Sequence, residues 1–173
     1  MRSAPRKFST EEDLYAAALR ALMRRAYSAH DMKQYLELRA EDKSHVSTVI
    51  ARLREQNYID DARYAADFTR QRAQSRGQGR FRIARELRAR GVPDRHIDAA
   101  LEASATETDE AALVRKRIQR KLAHVRMPID RRKLASVYAS LLRAGFPADL
   151  IRAELHRATR AEVPEVEPSQ EES

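Results

Sequence analysis

The chain has 173 residues, with 34 Lys and Arg against 26 Asp and Glu for a net charge of +8, and it contains no Cys. The missing thiols exclude disulfides, thiolate metal sites and a cysteine nucleophile, and no apolar run approaches the roughly 20 residues that cross a bilayer as a helix. Abundant Ala, Leu, Arg and Glu beside only 4 Gly and 6 Pro favour helix over strand, so the expectation is an all-α cytoplasmic protein with no membrane segment.

Taken in chain order, a basic arm over residues 1–8 leads into a helical stretch from Thr10 to Ala26, with Ser9 and Glu12 spaced as a capping box. Ser28 is placed to cap the next helix, which ends near Leu36. Met32 with Leu36, and Val46 with Ile50, are each four apart and share a helical face. Asp60 and Asp61 precede a helical run from Asp61 to about Ala73. That position suits N-capping and the helix dipole better than a paired-acid or metal site. Within this run Arg63 and Asp67 are spaced to pair. Tyr58, Tyr64 and Phe68 read as packing residues that join the first two segments.

Ile83 with Leu87 and Ile97 with Leu101 repeat the pattern, separated by Gly91-Val92-Pro93. A third helical stretch from Thr108 to about His124 precedes Val137 with Leu141 and Ile151 with Leu155, separated by Gly145-Phe146-Pro147. The glycines suit left-handed helix ends, and the prolines suit the first turn of the following helix. No segment alternates apolar and polar residues long enough for a strand.

These positions superpose as an internal repeat. Met32, Leu36, Ala40, Val46 and Ile50 recur 51 positions later as Ile83, Leu87, Gly91, Ile97 and Leu101. A further 54 positions give Val137, Leu141, Gly145, Ile151 and Leu155. The expected organisation is three tandem three-helix repeats, at 9–59, 60–104 and 105–160, stacked as an elongated, curved array. The stretch 161–173 is rich in Glu and interrupted by Pro, and reads as a disordered acidic tail.

That tail holds five Glu and no base, so setting its charge aside leaves +13 on residues 1–160. Such an excess attracts polyanions. Eight arginines fall between 70 and 90, namely Arg70, Arg72, Arg76, Arg80, Arg82, Arg85, Arg88 and Arg90, opposed only by Glu86. On a helix carrying Ile83, Ala84 and Leu87 inward, Arg82 and Arg85 point away from the apolar stripe and Arg88 lies on its flank. A second cluster contains Arg115, Lys116, Arg117, Arg120 and Lys121 and continues to Arg126, Arg131, Arg132 and Lys133. Two readings stand for these residues: contacts to phosphate or an acidic protein surface, or a solvated helix face. Arg70, Arg72, Arg76, Arg80, Arg82, Arg85, Arg88, Arg90, Arg115, Arg117 and Lys121 form the candidate contact set, with Arg82 and Arg85 foremost.

The order of motifs from Leu14 to Leu155 resembles the RecX family. Arg24-Arg25-Ala26-Tyr27-Ser28 looks like its Arg-x-x-Ser helix entry. Tyr58-Ile59-Asp60-Asp61-Ala62-Arg63-Tyr64-Ala65 resembles its block of apolar pair, acids, Arg, aromatic and Ala. The run Gly79-Arg80-Phe81-Arg82-Ile83-Ala84-Arg85-Glu86-Leu87-Arg88-Ala89-Arg90-Gly91-Val92 is similar to its second-repeat segment, and Leu142-Arg143-Ala144-Gly145-Phe146 to its third. The resemblance implies a modular helical protein that binds the groove of the RecA–DNA filament and restrains filament growth or recombinase activity, in DNA repair, recombination and the SOS response. The implied partner is the RecA filament, with single- or double-stranded DNA beside it, and the implied state is a monomer.

No enzyme chemistry is visible. His30, His45, His96, His124 and His156 lack metal-ligand spacing, and Gly77-Gln78-Gly79 lacks the downstream Gly-Lys-Ser/Thr of a nucleotide-binding loop. The expectation is no catalytic residue, cofactor or metal. A helix-turn-helix regulator that binds nucleic acid without RecA is the competing reading, because Gly-centred helix pairs and an Arg-rich helix also suit a DNA groove.

Overall fold

The computed structural model describes residues 7–125 and 129–159. The arm ahead of Lys7, Arg126 and the acidic stretch 161–173 lie outside the described residues. The fold is all-α. Among the described residues there are nine helices: α1 (Glu11–Leu22), α2 (Ala29–Glu37), α3 (Ser44–Glu55), α4 (Asp61–Arg76), α5 (Arg80–Arg88), α6 (Asp94–Glu107), α7 (Glu110–Leu122), α8 (Arg131–Arg143) and α9 (Ala148–Thr159). The one extended pairing among them is an isolated parallel bridge between Phe8 and Ala40.

The helix starts follow local chemistry, with one shift from expectation. Thr10, in extended backbone, caps α1 in place of Ser9: its hydroxyl accepts the Asp13 N–H at 3.2 Å. The helix closes at Leu22 and not at Ala26, because the N–H groups of Arg24 and Arg25 both turn back onto the Ala21 carbonyl. Ser28 caps α2 as expected, accepting from Asp31 N–H at 3.0 Å. Asp60 caps α4, accepting from Ala62 and Arg63 N–H at 2.8 and 3.1 Å. The Arg63 N–H above all holds the Asp60 carboxyl below its ordinary range; burial opposes it, and the Ala62 N–H adds to the lowering. Pro93 and Pro147 sit one residue ahead of α6 and α9, where their carbonyls accept the first helical bonds, from Ile97 and Ile151.

By compactness the chain divides into two units, one within Met1–Arg70 and Ala84–Ala103, the other within Gln71–Ile83 and Ser104–Ser173. In the first, α1, α2 and α3 pack on one another around Leu14, Ala18, Met32, Leu36, Val46, Val49 and Leu53. In the second, α7 lies along α9, and α8 joins them around Val114, Ile118, Val137, Tyr138, Leu141, Phe146, Ile151 and Leu155. The repeated apolar positions are the ones that go inside. Met32, Leu36 and Val46, then Ile83, Leu87 and Ile97, then Val137, Leu141 and Ile151 are all buried, whereas Leu101 is only half-buried.

Three turns occupy equivalent places in the repeat. After α5, Gly91 has φ +64°, with bonds from Gly91 N–H to Arg88 O and from Val92 N–H to Leu87 O. After α8, Gly145 has φ +91° and the matching pair runs to Leu142 O and Leu141 O. Both are Schellman ends, which satisfy helix-terminal carbonyls through a left-handed residue. At Ala40 no positive φ is needed: the N–H groups of Arg39 and Ala40 both bond to Leu36 O.

The carbonyl just before each turn residue receives a donor from an earlier stretch of chain. Phe8 N–H bonds Arg39 O at 2.8 Å, the Ser28 hydroxyl bonds Arg90 O at 2.7 Å, and Gly79 N–H bonds Ala144 O at 2.9 Å. The start of α2 therefore seats on the Gly91 turn, and the start of α5 seats on the Gly145 turn. These seats are where the repeat needs glycine.

Candidate functional site

The candidate cations differ in the partners that the fold gives them. Arg70 pairs with Asp67 at 3.3 Å, so Asp67 does not take Arg63, which instead donates to Asn57 O. Arg80 pairs with Glu110 at 2.9 Å, and a second oxygen of Glu110 accepts the Arg80 N–H at the head of α5. Arg88 pairs with Asp94 at 2.7 Å. Arg115 reaches Asp109 and the fully buried Glu154, both at 3.5 Å, and Arg157 closes on Glu154 at 2.7 Å. Arg90 donates to Glu86 O and lies over the Phe68 ring at 4.8 Å. Arg72 is half-buried. These arginines shape the helix surface, and exposed pairs of this kind contribute under about 1 kcal/mol each.

The rest include a group within the second unit, gathered at the Gly145 turn. Arg117, half-buried on α7, donates to Arg76 O at 3.0 Å and lies over the Phe146 ring at 5.7 Å. Gly77, in left-handed backbone, leaves room for its guanidinium. Burial pushes the Arg117 guanidinium below its ordinary value, and the nearby charges of Arg120 and Arg82 push it further in the same direction. Arg82 is half-buried because the Gly145 backbone presses on its own main chain and Cβ. Phe81, beside it, donates its N–H to Gly145 O at 3.0 Å while its ring stands 61% exposed. The two sequence clusters, 70–90 and 115–121, thus meet at Arg82, Arg117 and Arg120. Like charges held together in a partly buried setting are relieved by a bound anion.

Of the two leading candidates on α5, Arg85 is open to solvent without an ion pair among the described residues, whereas Arg82 is committed in part to packing. Arg76 and Lys121 are also exposed. Phe81 escaped the sequence reading. Its spacing of four from Arg85, off the Ile83 and Leu87 stripe, was the available signal. Glu154 escaped it too, since an acid on an amphipathic helix gives no local sign that it will be buried.

Tyr64 and Phe68 stack at 6.0 Å between centroids, and burial pushes the Tyr64 phenol up, consistent with packing; Tyr58 is exposed. Asp61 accepts the Ala29 N–H at 2.8 Å, a structural use of the second acid in the Asp60-Asp61 pair. No helix among the described residues is long and apolar enough to cross a membrane.

Comparison with known proteins agrees with this architecture. Residues 60–101 match the family described as RecX, second three-helix domain. The chain is 39% identical to regulatory protein RecX of Halorhodospira halophila over 84% of its own length and 88% of the relative's. It is 33% identical to that of Trichlorobacter lovleyi, covering 81% and 92%, and 34% identical to that of Deinococcus radiodurans, covering 85% and 71%. The crystal structure of RecX from Lactobacillus salivarius superposes with a TM-score of 0.76 at 20% identity, over 87% of this chain and 96% of that one, a likeness of fold.

Proposed function

We propose, for a chain that belongs to the family of RecX regulatory proteins, that it binds the RecA–DNA filament in the cytoplasm and restrains recombinase activity without chemistry of its own. The observation that carries this reading is the meeting of the two basic stretches at the Gly145 turn, where the Arg82 main chain lies against Gly145 and the Arg117 guanidinium lies over the Phe146 ring, with Arg120 one turn along α7. Arg76 and Lys121 add exposed positive charge within the same unit, and Arg85, in the other unit, is a separate exposed candidate. Arg70, Arg80, Arg88, Arg90 and Arg115 stay in the proposed contact set with head groups that also serve internal partners, as that of Arg117 does. Arg72 stays in the set as a lesser contributor, because its half-buried side chain presents less of its charge.

Regulation by binding requires unequal affinity for the states of the filament, since a ligand shifts an equilibrium only by its differential affinity. The test is titration of this protein into preformed RecA filaments on single-stranded DNA, following ATP turnover, joint-molecule formation and filament length by electron microscopy. Falling turnover with shortened filaments is expected. Normal activity and length at verified saturation would overturn the proposal, and tight, sequence-selective binding to naked DNA without RecA would replace it with the helix-turn-helix reading.

A further inference from the structure

Phe81 is an apolar ring set where folding gains little from it. Its side chain is 61% exposed at the first turn of α5. Its backbone, by contrast, is fixed. The Phe81 N–H bonds Gly145 O, the Gly79 N–H bonds Ala144 O, and Glu110 clamps Arg80 through both main chain and side chain. Gly79 and Gly145 approach so closely that a Cβ on Gly79 would stand 2.3 Å from the Gly145 carbonyl. The ring is therefore presented on a rigid mount.

Its surroundings are cationic. Arg82 follows it in sequence, and Arg82 is among the charges felt by Arg117, beside Arg120. An exposed ring whose backbone is bound to the same turn as Arg82 and Arg117 matches the chemistry of single-stranded nucleic acid, in which phosphates need cations and unstacked bases need an aromatic face. A duplex offers the same phosphates but keeps its bases stacked on each other.

We infer that Phe81 is a stacking platform for an unpaired base of single-stranded DNA, with Arg82, Arg117 and Arg120 taking the flanking phosphates. The inference rests on the proposal that this protein works at a DNA-containing filament, and it adds a preference for the single strand. Stacking is nearly independent of salt, whereas the phosphate contacts weaken as salt rises.

The test is fluorescence anisotropy of a labelled oligo-dT and of a duplex of equal length, across a salt series, with the full chain and its Phe81→Ala and Phe81→Trp variants, alongside binding to the RecA filament. Phe81→Ala is expected to weaken oligo-dT binding about tenfold at every salt concentration, to leave duplex binding within about twofold, and to be rescued by Phe81→Trp. Equal loss on both DNAs, or none on either, overturns the stacking role. If Phe81→Ala weakens filament binding while oligo-dT binding is unchanged, the ring is a protein contact and the inference fails although the filament proposal stands. If the wild-type chain binds neither oligo-dT nor the filament, both fail.

Discussion

The turns after α5 and α8 are written with nearly the same residues, Gly91-Val92-Pro93 and Gly145-Phe146-Pro147, and they close their helices with the same pair of bonds. They differ in what leans on them. A Cβ on Gly91 would meet the His30 side chain, at 2.4 Å from Cγ and 2.5 Å from Cβ, whereas a Cβ on Gly145 would meet the Arg82 main chain, at 2.4 Å from its nitrogen. The His30 ring can rotate away although its Cβ stays where the α2 backbone holds it, whereas at Gly145 none of the obstructing atoms can move without the whole start of α5. Both turns need glycine for its conformation and for its missing Cβ, and the obstruction is the more rigid at Gly145.

That difference is open to measurement by urea unfolding. Gly145→Ala combines backbone strain with overpacking against a main chain, and about 3–6 kcal/mol of destabilisation is expected. Adding Arg82→Ala should recover none of it, since the clashing atoms remain. Recovery would mean that the turn is softer than its geometry indicates.

Gly91→Ala should cost less, about 2–3 kcal/mol. Here a double-mutant cycle with His30→Ala should show a favourable coupling of about 1 kcal/mol, because the imidazole is part of what a new methyl displaces. Additivity would remove the distinction between the turns. Gly77 is a milder case. Its φ is +55°, but an added Cβ would find only the Arg117 guanidinium, at the ordinary distance of 3.6 Å. Gly77→Ala is expected to cost about 1 kcal/mol for the left-handed conformation alone.

Ala40 supplies the control. It stands at the same repeat position without positive φ, and its neighbour across the bridge is Phe8. Ala40→Gly should destabilise by about 0.5–1 kcal/mol through the entropy of the unfolded chain. A stabilising effect would show that Ala40 is strained in a way its backbone does not reveal.

The sequence by itself determined the helices, their approximate ends and the residues that face inward. These depend on interactions within one or two turns: side-chain caps such as Ser28 and Asp60, left-handed glycines, and apolar spacing of three and four, which places Leu36, Leu87 and Leu141 inside. The family was legible for the same reason, because the motif order is a property of the chain. Tertiary structure alone decided how the arginines are partnered and grouped. Arg80 is claimed by Glu110 thirty residues away, and Arg115 by Glu154, while Arg82 and Arg117, 35 positions apart in sequence, share one electrostatic neighbourhood. Charge acts through space and is neutralised by whatever the fold brings near. A count of basic residues therefore gives the sign of the partner, but only the folded neighbours decide which side chains can meet it.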